Sequence, residues 1–151
     1  MIKGLSKVSG EIRRGQIVQA ALKIIAVRGV SGLTTAAIAK EVGISEANLY
    51  RHFKNKDEIL RETVKTIGEG ILRNIGLVSE MTTASAPEKL NRLLMLQLDY
   101  IEKNEGIPKL IFSEEIHVGN KELKEILLRT IGFYASRLEA IVREGQKAGL
   151  I

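Results

Sequence analysis

Apolar positions recur at three- and four-residue steps along this 151-residue chain, the spacing of amphipathic helices. The first such run covers Glu11 to Val27, with Ile12, Val18, Ala21, Leu22 and Ile25 at helical spacing. Gly29 ends it, with Arg28 in the last turn. A compact second run, Ala36 to Val42, places Ile38, Ala39 and Val42 on one face, with Thr34 or Thr35 as its cap. Gly43 falls where the chain must turn sharply, and glycine accepts positive φ without steric cost. Ser45 then caps a third helix whose Ile44, Leu49 and Phe53 point inward. Glu46, Ala47, Tyr50 and Arg51 are left facing outward.

The pattern continues with longer helices. Asn55 and Glu58 form a cap pair ahead of a helix over Lys56 to Val78, striped by Leu60, Val64, Ile67, Ile71, Ile75 and Val78. Gly68 and Gly70 interrupt it, each at a cost of about 1 kcal/mol relative to alanine. Close helix packing, a bend or room for a ligand would each account for them, and close packing is the simplest. Residues 79–86 are small and polar and read as a linker. Ser85, Pro87 and Glu88 mark the next start. Leu90, Leu93, Leu94, Leu96, Leu98, Tyr100 and Ile101 cover much of that helix's circumference, which predicts a central place in the second part. Ile107 and Pro108 open a shorter helix carrying Leu110, Ile111, Phe112 and Ile116, ended by Gly119. Asn120 caps a last helix striped by Leu123, Ile126, Leu127, Thr130, Ile131, Tyr134, Leu138, Ile141 and Val142, and Gly149 closes it. The fold class is all-α.

Composition narrows the function. Apolar residues make up 44% and charged residues 27%, as in an ordinary soluble globule. Tryptophan is absent and aromatics are few, so the core must be aliphatic. Without cysteine there is no disulfide framework and no thiol chemistry, which fits a reducing cytosol. No apolar run reaches the length of a membrane span, and the N-terminus lacks a signal-peptide pattern. The chain is therefore expected in the cytoplasm, away from membranes. Two histidines, no phosphate-binding glycine motif and no His-Glu-x-x-His give catalysis no foothold. Hence no catalytic residue, no metal site and no cofactor is expected.

Charge is divided unevenly. Residues 1–56 hold 10 Lys and Arg against 3 Asp and Glu, a net of +7, whereas residues 57–151 hold 13 against 15, a net of −2. A polyanionic partner for the first part alone follows from that asymmetry. Residues 1–10 read as a loose basic arm.

The stretch Thr34 to Lys56, TTAAIAKEVGISEANLYRHFKNK, has the layout of a helix-turn-helix DNA reader. It resembles the DNA-binding domain of the tetracycline-repressor (TetR) family of regulators. The resemblance is carried by Thr34-Thr35, Ile38-Ala39, Val42-Gly43-Ile44, Leu49-Tyr50, His52-Phe53 and Asn55-Lys56, and covers roughly the first third of the chain. It implies a DNA-binding domain over residues 1–56 and a helical effector-binding and dimerisation domain over 57–151. Thr35 and Ala36 would then meet the DNA backbone. Glu46 and Ala47 would lie at the base edges, Tyr50, His52 and Lys56 at phosphates, and Asn48 is a further DNA-binding candidate. Ala47 offers only a methyl contact, such as with thymine. Glu46 could accept from a cytosine amino group, or simply suit the helix dipole. Arg51 could read guanine or hold phosphate. His52 has no second His or Cys at metal-ligand spacing.

In that family two further helices usually complete the second part and form most of a four-helix dimer interface. This sequence ends where they would begin. The expectation is therefore an incomplete second domain whose apolar residues are exposed or bury elsewhere. Candidate effector contacts are Met95, Tyr100, Phe112, His117 and Tyr134, the large or polarisable groups there. The implied function is a sequence-specific repressor. It would bind a palindromic double-stranded operator as a homodimer and be released by a small-molecule effector. The alternative is a nucleoid-associated or interaction module with little sequence preference and no effector.

Overall fold

The computed structural model describes residues 8–151, and every regular element among them is helical. Helix α1 runs Gly10–Arg28, α2 Thr35–Val42, α3 Glu46–Tyr50, α4 Lys56–Ser79, α5 Ala86–Lys103, α6 Gly106–Ile111 and α7 Lys121–Lys147.

Side-chain caps set most of the starts. Ser9 accepts from the Ile12 amide at 3.2 Å, so the end of the expected loose arm belongs to the start of α1; residues 1–7 lie outside the described residues. Thr34, rather than Thr35, caps α2 by accepting from the Ala37 amide at 3.0 Å. Ser45 caps α3 and Asn120 caps α7 in the same way, each at 3.1 Å. Asn55 accepts from the Glu58 amide at 2.9 Å, but the return bond of this cap pair goes elsewhere. The Glu58 carboxylate accepts from the Lys54 amide at 2.6 Å, one residue upstream of the cap. At α5, Glu88 reaches back to accept from both the amide and the hydroxyl of Ser85, each at 2.7 Å. Gly29, Gly43 and Gly149 end their helices with φ of 73°, 80° and 68°, a region that side-chain-bearing residues avoid.

One buried cluster joins the first half of the chain to the second. It contains Ile17, Val18, Ala21 and Ile25 of α1, Ile38 of α2, Leu49 of α3, Phe53, and Leu60 and Val64 of α4. It continues without a gap into Ile107 and Leu110 of α6 and Leu123 and Leu127 of α7. Burying such side chains contributes about 1.5–3 kcal/mol each, so this cluster is the main source of stability. A smaller cluster of Ile75, Val78, Ala86, Leu93 and Ile141 closes the far end, where α4, α5 and α7 meet. Helix α4 passes through both.

Close approach explains three glycines. A Cβ on Gly68 would lie 2.9 Å from Thr130 Oγ1 of α7, and one on Gly70 would lie 2.3 Å from Cζ of Tyr100 of α5. Packing, the simplest of the three readings, is what the two α4 glycines serve. The third is Gly106. Its Cβ would lie 2.2 Å from the Leu22 carbonyl oxygen, so α6 begins directly against the α1 backbone. Lys109 reinforces this junction by donating to the Ala26 carbonyl.

Helix α5 is not central, against expectation. Among its residues only Ala86, Lys89 and Leu93 are buried, while Leu94, Met95, Leu98 and Ile101 are exposed. Its contact with α4 combines Leu93 and Tyr100 with polar bonds. Asn74 donates to the Leu96 carbonyl at 3.2 Å, and Gln97 donates to the Ile71 carbonyl at 3.2 Å. A helix apolar around most of its circumference cannot bury every side, and the side that meets α4 carries Leu93 and Tyr100 together with the polar Gln97. Near its start, Lys89 is almost enclosed and forms a two-oxygen ion pair with Glu144 of α7 at 2.8 and 2.9 Å. The shorter helix also differs from its predicted form. It begins at Gly106, breaks at Phe112, and resumes as one wide turn over Glu115–Gly119. Ile116 of that turn is buried, while Phe112 is 80% exposed.

Candidate nucleic-acid interface

The reader is built from α2, the turn at Gly43, and α3. Gly43 donates to the Ala39 carbonyl at 2.9 Å and Ile44 to the same oxygen at 3.0 Å, which closes the turn tightly. Leu49 and Phe53 are fully buried and Ile44 packs against the same cluster. This anchoring fixes the roll of α3. Glu46, Ala47, Tyr50 and Arg51 are exposed as the sequence predicts, and Asn48 and His52 are half-buried.

Three of the candidate residues form a chain of hydrogen bonds between the two reader helices. Thr35 Oγ1 lies 3.1 Å from the Tyr50 hydroxyl and 3.3 Å from a Glu46 carboxylate oxygen. With Thr35 donating to the carboxylate, its oxygen is free to accept from Tyr50. Glu46 therefore faces α2 while also sitting in the first turn of α3, where its charge suits the helix dipole. Ala36 is exposed on the first turn of α2, beside this network. Lys56 begins α4 and directs one of its three donors to the Val30 carbonyl at 3.4 Å.

Arg14 of α1 is the residue that pattern reading passed over. Its guanidinium donates to the His52 carbonyl, lies 4.0 Å from the Phe53 ring centroid, and sits 3.6 Å from the Glu62 carboxylate of α4. A signal was present in the sequence. Arg14 extends the stripe of Ile17, Val18, Ala21 and Ile25, so its stem lies on the buried side of α1. Ile12, which the periodicity places first in that stripe, is exposed instead.

The candidate effector residues do not converge on one cavity. Met95, Phe112 and His117 are exposed. Tyr100 packs against Gly70, and burial pushes its phenol pKa up. Tyr134 packs against the smaller cluster. Between α4, α6 and α7 a void of about 10 Å³ lies beside Gly68, Ile111 and Thr130, room for about one water. A larger open groove, about 840 Å³, runs between α1 and the α5–α6 junction, and none of the five lines it. Among the described residues no helix is long and apolar enough to cross a membrane, and no cluster of three or more His, Asp or Glu forms a metal site.

Comparison with known proteins agrees with this geometry. Residues 17–63 match the family model described as bacterial regulatory proteins, tetR family. The chain is 30% identical over 140 residues to the nucleoid occlusion factor SlmA of Marinomonas sp. (strain MWYL1), covering 91% of this chain and 70% of that protein. SlmA of Vibrio campbellii is 29% identical over 133 residues, 87% of this chain and 67% of the relative. Among solved structures, the TetR family transcriptional regulator PfmR of Thermus thermophilus superposes with a TM-score of 0.77 at 25% identity, over 89% of this chain and 72% of that one. The transcriptional regulator FadR of Bacillus subtilis, solved in complex with stearoyl-CoA, gives 0.69 at 28% identity, over 91% and 73%. An outward-facing reader helix, a basic first part, an all-helical second part and these matches coincide: the chain belongs to the TetR family of DNA-binding transcriptional regulators.

Proposed function

We propose that this protein is a cytoplasmic repressor that binds a palindromic operator as a homodimer and is released by a small-molecule effector. The observation that carries the reading is the α3 face bearing Ala47, Tyr50 and Arg51, exposed while Leu49 and Phe53 anchor it from behind. Residues 1–56 act as the reader and 57–151 as the regulatory part. In this reading Ala47 and Asn48 approach base edges, and Arg51 reads guanine or holds phosphate. Thr35, Ala36, Tyr50, His52 and Lys56 follow the backbone. Glu46 chiefly orients the reader through Thr35, since its carboxylate already faces that hydroxyl. An effector acting on 57–151 shifts the spacing of two readers, for which a coupling of about 1–3 kcal/mol suffices.

A second reading has its own support. Two of the relatives are nucleoid occlusion factors, and the void between α4, α6 and α7 holds about one water rather than a metabolite. That favours a DNA-bound module whose regulation does not pass through a preformed pocket. Selection of bound sequences from random duplex DNA at near-physiological salt separates the two. An enriched inverted repeat supports the operator-binding dimer. A bound pool without enrichment supports the module with little sequence preference.

A further inference from the structure

We propose that Arg14 is a positioning residue for DNA binding, a fork that sets the pitch of the turn following α3 without itself touching DNA. This rests on the reading that the α3 face meets DNA. Three groups converge on one guanidinium, from the turn following α3 and from α4. The His52 carbonyl accepts from it, its central carbon lies over the Phe53 ring 4.0 Å from the centroid, and the Glu62 carboxylate of α4 lies 3.6 Å away. His52 and Phe53 immediately follow Tyr50 and Arg51, so holding their backbone fixes where the exposed side chains point. Glu62 follows Lys56 by under two helical turns, so the same fork ties the reader to the helix that leads into the second part.

The geometry suits arginine in particular. A guanidinium can lie over a ring and donate to a carbonyl while its charge faces a carboxylate at ion-pair distance. A lysine ammonium carries the same charge but has no plane to place on Phe53. Both Arg14 and Glu62 are about one third exposed, with side-chain exposures of 35% and 34%. The pair itself is therefore a modest contributor to stability, while its effect on the turn geometry is direct.

Glu62 supplies the discriminating test. Removing an acidic charge from a DNA-binding protein ordinarily tightens binding, because one repulsion to phosphate is lost. If Arg14 positions the turn through Glu62, Glu62→Gln weakens binding instead. The full chain and its Glu62→Gln, Arg14→Lys and Arg14→Gln variants are titrated with random-sequence duplex DNA over a range of salt, below each variant's melting temperature. Glu62→Gln is expected to weaken binding roughly three- to ten-fold with little change in melting temperature. Arg14→Lys should weaken binding about as much as Arg14→Gln, and its salt slope should match the wild type. Unchanged or tighter binding by Glu62→Gln would overturn the proposal, as would full affinity in Arg14→Lys. If the wild type fails to bind duplex DNA, the reader assignment itself falls and this inference with it. Wild-type binding that every variant retains sinks the inference alone.

Discussion

The Tyr100 ring occupies the space above Gly70 so closely that a Cβ there would lie 2.2 Å from the phenol oxygen. The phenol also points at the Thr66 and Ile67 carbonyls of α4, at 3.4 and 3.5 Å. Gly70 thus forms the seat of a rigid aromatic ring. An alanine would gain about 1 kcal/mol of helix propensity but force the ring out, and overpacking of this kind typically costs about 1–3 kcal/mol. Gly70→Ala is therefore expected to lower the melting temperature. In a Tyr100→Leu background the same change should be neutral or favourable. A rise in melting temperature for the single variant would show that the ring swings aside freely.

The reader makes separable predictions for two cations. Lys56→Ala should weaken binding about equally across sequences and lower the salt slope by about one, as expected for a lost phosphate contact. It should also reduce thermal stability slightly, since its ammonium holds the Val30 carbonyl. Arg51→Ala should relax preference at one base position, measured by selection from random duplexes, if it reads guanine. Uniform weakening would make it a phosphate contact.

The Lys89–Glu144 pair joins the start of α5 to the end of α7, with the lysine side chain 7% exposed and the glutamate 50%. Removing only the acid strands a nearly enclosed ammonium. Glu144→Ala should cost about 1–2 kcal/mol, well below the figure for a fully buried pair because solvent reaches the carboxylate. Lys89→Met should cost less, since it removes the charge and keeps the packing. Urea unfolding of both variants checks the order, and the reverse order would refute the argument.

Acid should unfasten the start of α5. The Ser85 hydroxyl, and then the Ser85 amide, hold the Glu88 carboxyl below its ordinary pKa of 4.5. A folded pKa below the unfolded one means that the unfolded chain binds more protons in between, so stability rises with pH there. The contribution is complete above about pH 4.5 and is lost as pH falls through the lower folded value. The melting-temperature gap between wild type and Glu88→Ala should be open at pH 7 and narrow below pH 4.5. A gap independent of pH would mean that the carboxylate's charge plays no part.

Much of the fold was legible because its boundaries are local chemistry. Thr34, Ser45, Asn55, Ser85 and Asn120 each stand at a helix start, and Gly29, Gly43 and Gly149 at turns with positive φ. The outward face of α3 was legible for the same reason, since Leu49 and Phe53 fix its roll. Orientation between distant elements was not. Leu94, Leu98 and Ile101 look like core residues on periodicity alone, but the side of α5 that meets α4 carries Leu93, Gln97 and Tyr100 instead. Arg14 escapes pattern reading because its three partners lie 38 to 48 residues away, in parts that only folding brings beside α1. The candidate effector residues have only side-chain type in common, which carries no information about convergence.

The seating of Gly106 on the Leu22 carbonyl has a consequence for anyone who would exchange readers between relatives. A chimera spliced at residue 56 inherits α1 from one parent and α6 from the other, and those two surfaces were never matched. Any side chain at the graft's equivalent of Gly106 would lift α6 and uncover Ile107 and Leu110, which are buried beside it. The transplantable piece is therefore discontinuous in sequence. An exchange of α1 to α3 has to carry the short segment from Gly106 to Leu110 with it, because α6 is seated on α1.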